Sequence, residues 1–188
     1  MAVKKSLAFK RRRKGLTNYK KRLALVKGGM ERVIVRRSNR RIIGEVAMYS
    51  EHGDMITAYA DSNELKGMGW PSHSNRATAY LTGMLLASKA LKKSKDSEYV
   101  LDIGLSSPVK NSIPFVFAKG CIDRGMKLRS GVEIPDTVYD CSDTAYAASL
   151  KKEISKYERQ YGAYIKAGKE PDKLNSLFNE LRSKLAKE

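Results

Sequence analysis

The stretch VIVRRSNRRIIGEVAMYSEHGDMITAYADS, residues 33–62, decides the fold. Residues 33–35 and 42–43 have the β-branched bias of strands. Ser38-Asn39 between them is a plausible two-residue turn, because Asn tolerates positive φ. The second strand continues through GEVAMYS to about Tyr49, EHGD signals another turn, and a third strand runs from about Met55 to Ala60. The segment therefore reads as an antiparallel meander. At its first turn Arg36, Arg37, Arg40 and Arg41 crowd together, where mutual repulsion costs stability unless an anion or solvent screens it.

Upstream of the meander the chain is more basic still. AFKRRRKG places Lys10, Arg11, Arg12, Arg13 and Lys14 in one run with too little apolar material to fold alone, so an arm disordered in isolation is expected. TNYKKRLALVKGG follows, with Thr17 as N-cap, Gly28-Gly29 as terminator, and Leu16, Tyr19, Leu23 and Val26 at offsets 0, 3, 7 and 10. This predicts a short amphipathic helix over 17–27 whose polar side carries Lys20, Lys21 and Arg22. Tyr19 either packs its ring with Leu16 and Leu23 or stacks on a nucleobase.

Downstream the pattern becomes α/β. KGMGWPSHSN reads as a loop. Asn75 then caps a helix in which Ala77, Tyr80, Leu81, Met84, Leu85, Ser88 and Leu91 trace an apolar stripe. YVLDIGL, residues 99–105, has the length and apolarity of a buried strand. SIPFVFAKGCIDRG is a helix with Pro114 in its first turn and Gly125 at its end, followed by a short strand at 126–128. The order is βββαβαβ, which predicts a mixed sheet in which the three-strand meander is followed by αβαβ. From Ser142 to about Tyr161 the pattern is helical, and after GKEPD the segment LNSLFNELRSKL forms an amphipathic helix through Leu174, Leu177, Phe178, Leu181 and Leu185. The expected organisation is a basic arm with a short helix over 1–29, an α/β core over 30–141 and a helical extension over 142–188. Trp70 is expected to cover the helix beginning at Asn75, His73 to be an exposed polar residue, and the final helix to close the chain's own core.

Charge distribution narrows the function. The 188 residues hold 37 Lys and Arg against 20 Asp and Glu, a net of +17, and residues 1–41 supply +15 of it with Glu31 as their one acid. Such concentration is a local device and not a general aid to solubility. Arg predominates at the hairpin, and guanidinium groups bind phosphate bidentately and stack on bases. No helix-turn-helix, zinc finger or basic zipper is present to read a major groove, so folded RNA is a better match than DNA. No run approaches a membrane span and the basic start lacks an apolar core, so a soluble, cytoplasmic chain is expected. Cys121 and Cys141 have no CxxC neighbour, and His52 and His73 have no metal-ligand spacing, which predicts reduced structural thiols and no metal site.

Enzymatic signatures are weak. There is no GxxxxGK[ST] loop, GxSxG elbow or HExxH. A mixed sheet of this order resembles ribonuclease-H-like folds, in which converging carboxylates bind divalent metal. Asp102, with Glu45 and Asp123 as loose partners, is the set an alternative reading as a metal-dependent nuclease with a basic substrate arm would use. Asp102 reads better as a structural hydrogen-bonding residue at a strand end. No catalytic residue and no cofactor are expected.

TNYKKRLALVKGGMERVIVRRSN, NRATAYLTGMLL, VLDIGLSSP with VFAKGCIDRG, and FNELRSKL together resemble the archaeal and eukaryotic branch of the ribosomal protein that binds 5S rRNA, number eighteen of the universal large-subunit series. The resemblance covers nearly the whole chain in order, and the material after about Ser142 is similar to the archaeal form. It implies a non-enzymatic protein that clamps 5S rRNA in the central protuberance and ties it to the large-subunit rRNA beside neighbouring ribosomal proteins. It also implies RNA contacts at Arg11, Arg12, Arg13, Tyr19, Arg22, Lys27, Arg32, Arg36, Arg37 and Arg40, with Ser38 and Asn39 at the turn. Composition adds Lys10, Lys14, Lys20 and Arg41 to this set.

Overall fold

A computed structural model describes residues 7–71, 73–94, 97–134, 143–166 and 168–187. Its elements in chain order are α1 (Lys10–Arg13), α2 (Tyr19–Lys27), β1 (Glu31–Arg37), β2 (Ile42–Ser50), β3 (Gly53–Asp61), α3 (Glu64–Gly67), α4 (Arg76–Leu91), β4 (Glu98–Asp102), α5 (Ile113–Asp123), β5 (Lys127–Arg129), α6 (Asp143–Leu150), α7 (Ile154–Lys166) and α8 (Leu174–Lys187). The strands form one mixed sheet in the order β3-β2-β1-β4-β5, antiparallel from β3 to β1 and parallel across β4 and β5. The α/β class and the meander therefore stand as the sequence predicts.

Strand alternation assigns the two faces. Val33, Val35, Ile42, Val46, Ala58 and Ala60 are buried on one side, against α4 and α5. Arg32, Ile34 and Arg36 take the intervening positions of β1 and point to the other side. Helix α4 is buried on nearly every side, more than a single stripe requires, because the sheet, α5 and α8 surround it. Leu174, Phe178, Leu181 and Leu185 of α8 enter this same core, as a closing helix should. The contact between α4 and α5 depends on two small residues. A Cβ on Gly83 would lie 2.2 Å from the Phe117 carbonyl oxygen, and one on Gly120 would lie 2.2 Å from that of Tyr80. The two backbones touch where both lack side chains.

Several local expectations are corrected. The hairpin turn is centred one residue later, on Asn39-Arg40: Ser38 N–H donates to Arg41 O at 2.8 Å, and Ser38 Oγ accepts from Arg41 N–H at 2.9 Å. The serine hydroxyl takes the amide a tighter turn would give to a carbonyl, and Asn39 does not use positive φ; among the described residues Asn111 is the non-glycine residue that does. Helix α2 is capped by Asn18 and not Thr17, since Asn18 Oδ1 accepts from the amides of Lys20 and Lys21. The loop after β3 contains the extra turn α3, and the helical stretch after residue 142 is two helices, α6 and α7, separated near residues 151–153. Within the full chain the basic run Lys10–Arg13 forms one helical turn.

Trp70 is 2% exposed, donates from Nε1 to Thr78 Oγ1 at 2.9 Å and faces Phe178 at 6.0 Å, so it does cover the start of α4. His73 is half-buried with its ring 4.4 Å from that of Tyr164, which corrects its reading as an exposed residue, and burial, then Lys66, lowers its pKa. Cys121 is a buried free thiol whose Sγ donates to Gly83 O, and burial pushes its pKa up. Cys141 lies outside the described residues. Replacing Gly83 with Ala must separate α4 from α5, and a lowered urea midpoint equivalent to about 1–3 kcal/mol is the expected result. An unchanged midpoint would contradict this helix contact.

Candidate nucleic-acid interface

The face of the sheet turned away from α4 and α5 meets the N-terminal segment. Arg32 begins this contact. It is 1% exposed, although arginine is almost never sealed from water unless paired. Its Nη2 lies 2.6 Å from Asp54 Oδ1, an ion pair too bent to serve as a hydrogen bond, and its Nη1 lies 3.7 Å from Asp102 Oδ2. Asp54 Oδ2 also accepts from Arg22 Nη2 at 2.8 Å. One carboxylate at the start of β3 thus joins the buried arginine of β1 to the first turns of α2. Among the residues expected to touch RNA, Arg32 alone is enclosed, so its guanidinium faces Asp54 and Asp102 inside the protein.

The arm is tied down by few contacts. Arg11 Nε donates to Thr17 Oγ1 at 2.8 Å, and the Phe9 and Tyr19 rings lie 5.4 Å apart. Tyr19 therefore pairs with Phe9, whereas Leu16 and Leu23, the expected packing partners, are both more than half exposed. None of the described residues of α2 is buried. Its apolar positions do not enter the core, Leu25 and Val26 being half-buried, and Arg22 ties the helix to β3 through Asp54. Between arm, α2, sheet and the loop after β4 runs a groove of about 330 Å³, lined in part by Arg11, Lys21, Arg36, Arg37, Asp102 and Ser106.

The hairpin tip adds a second group of cations. Arg36 pairs with Glu45 at 3.3 Å, Arg41 with Asp61 at 3.4 Å, and Arg37 Nε donates to Ser74 Oγ at 3.1 Å. Arg40 is exposed and has no ion pair among the described residues. The same holds for Lys10, Arg12, Arg13, Lys14, Lys20 and Lys27. Exposed pairs such as Arg36–Glu45 contribute ~0–1 kcal/mol and are readily exchanged for a stronger anion. Ser38 and Asn39 shape the turn that carries Arg40.

The carboxylates of the alternative catalytic reading are separately engaged. Asp102 faces Arg32 and accepts from Gly104 N–H at 2.9 Å, Glu45 faces Arg36, and Asp123 accepts from Tyr80 OH at 2.6 Å and pairs with Lys119 at 3.0 Å. No group of three His, Cys, Asp or Glu side chains gathers as metal ligands among the described residues. Sequence reading took Asp54 as part of a turn and missed it as the tie between α2 and β1. A lone acid in a turn carries no signal for such a contact, nor did Phe9 for its pairing with Tyr19.

Fold and surface define an α/β protein with a strongly cationic N-terminal face. The family model for ribosomal large subunit proteins 60S L5 and 50S L18 matches residues 4–100, and the chain belongs to that family. It is a large-subunit ribosomal protein of the cytoplasmic ribosome.

Asp54→Ala should remove the nearest counter-charge of Arg32, leaving Asp102 at longer range. A loss of about 3 kcal/mol in urea unfolding is expected, at the low end for a broken buried pair because Asp54 is partly exposed. Amides of α2 should exchange faster in the same variant. Unaltered stability and exchange would show that the ion pairs do not hold α2.

Proposed function

We propose that the protein binds 5S rRNA through its N-terminal face and anchors that RNA to the large-subunit rRNA in the central protuberance. The observation that supports this most directly is the set of exposed cations without acid partners among the described residues, Lys10, Arg12, Arg13, Lys14, Lys20, Lys27 and Arg40, gathered on the arm, α2 and the hairpin tip. Arg11, Arg22, Arg36, Arg37 and Arg41 stand in the same region, each an exposed arginine with a protein partner. Phosphates have the charge to satisfy all of them, and Tyr19 beside Phe9 offers a ring to an unpaired base. In this reading residues 1–29 are the binding arm, 30–141 the body and 142–188 a helical extension that α8 fastens to it. Arg32 acts inside the protein, through Asp54, to position α2. The role is structural, with no catalytic step.

Neutralising about six to ten phosphates should make affinity fall by roughly 10³- to 10⁵-fold between 50 and 200 mM salt. Filter binding with 5S rRNA should give this steep dependence, and deleting residues 1–16 should flatten it while circular dichroism stays unchanged. Equal slopes for the two proteins would remove the arm from the interface. Arg40→Ala, which breaks no ion pair among the described residues, should lower the salt exponent by about one. Labelled 5S rRNA should remain intact through a magnesium titration, whereas metal-dependent cleavage by the purified protein would favour the nuclease alternative. Affinity no greater for 5S rRNA than for transfer RNA would contradict the choice of RNA.

A further inference from the structure

The second feature that calls for an occupant lies at the opposite side of the meander and shares no lining residue with the cationic groove. Strand β3 ends the sheet, so one of its edges has no neighbouring strand among the described residues. Beside that edge the last turn of α4 forms the wall of a groove of about 470 Å³, whose lining includes Ile56, Thr57, Tyr59, Lys89, Lys92 and Lys93. Lys89 Nζ donates to Tyr59 O at 3.0 Å, and Lys93 Nζ donates to Thr57 O. These carbonyls face the open edge, and each ammonium group occupies the place of an N–H from an absent strand. Because N–H and C=O of one strand residue point to the same side, Tyr59 also turns its N–H to that edge. Ile56 is 55% exposed and Tyr59 43%, so an incoming chain would find apolar surface beside the backbone.

Edge lysines commonly guard a sheet against unwanted pairing. Here they also select a partner. Two copies of β3 laid edge to edge would bring Lys89, Lys92 and Lys93 of each copy together, which opposes self-association by like charge. Lys89 has Glu64 at 2.5 Å, but Lys92 and Lys93 have no carboxylate partner among the described residues. Carboxylates on an incoming strand would draw the ammonium groups off Thr57 O and Tyr59 O, and the N–H groups of that strand would replace them. A phosphate backbone could pair with the lysines but would leave Ile56 and the bare strand edge unused.

We propose that β3 accepts an extended segment of another protein with alternating acidic and apolar residues, paired to the strand by β-augmentation and held by Lys89, Lys92 and Lys93. The test uses the full chain and a fluorescent, end-capped octapeptide of alternating valine and glutamate. Anisotropy should show saturable binding that weakens with salt and falls at least tenfold in Lys92→Glu/Lys93→Glu with unchanged circular dichroism. Independently of any protein variant, N-methylation of alternate peptide amides on the pairing edge should abolish binding, and replacement of glutamate by lysine should do the same. Absence of saturable binding to the wild-type protein would overturn the proposal, as would indifference to N-methylation or to glutamate replacement. Binding of polyuridylate that is lost in the double variant, without peptide binding to the wild type, would assign the groove to RNA and equally overturn it.

Discussion

A buried guanidinium must have anions within reach, and Arg32 sets this requirement at the centre of the sheet's outer face. Asp54 and Asp102 meet it from β3 and from the end of β4, on either side of β1. Asp54 has an oxygen left for Arg22, and so the same carboxylate that neutralises an internal charge also fixes the external helix α2. The arrangement consumes little of the N-terminal charge. Two aspartates face Arg32 and Arg22, while cations from Lys10 to Lys27 and at Arg40 remain exposed to an outside anion. Repulsion among them is the cost of displaying them together, and a rigid α/β body keeps them together at that cost.

The fold was largely legible because its elements announce themselves through period and punctuation. Val33 to Val35 and Ile42-Ile43 carry the β-branched bias of strands, and Asn75 stands where a cap for α4 should stand. What was misread is local competition. Thr17 and Asn18 are both good caps, and nothing in their identity says which side-chain oxygen will reach the amides of Lys20 and Lys21. The hairpin turn shifted because Ser38 has a hydroxyl able to satisfy the Arg41 amide, a hydrogen bond that a strand pattern does not encode. The apolar spacing of Leu16 and Leu23 suggested a packed face, yet α2 lies away from the core and leaves both exposed.

The site was legible as charge but not as geometry. Sixteen basic residues in the first 41 are visible without any structure, and most of them do lie on the surface. Composition could not separate Arg32, enclosed between carboxylates, from Arg40, exposed in the turn that follows the same strand but identical in chemistry. That difference follows from place along the hairpin: Arg32 sits where Asp54 and Asp102 converge, whereas Arg40 lies beyond the last strand pair, Arg37 with Ile42. Asp54 escaped notice for the converse reason, since its role is fixed by Arg22 and Arg32, which are 32 and 22 positions away in sequence, and not by its neighbours in EHGD.

Membership of the large-subunit family and the exposed cations of the N-terminal face together lead to one physical claim, that an RNA backbone supplies the anions which the protein itself withholds. Hydrogen exchange of the full chain, alone and saturated with 5S rRNA, tests it most directly. Strong new protection in α1, α2 and the turn at residues 38–41, with β4 and α5 little changed, is the result the account predicts. Protection confined to α5 through α8, with the first 41 residues exchanging as they do without RNA, would contradict it.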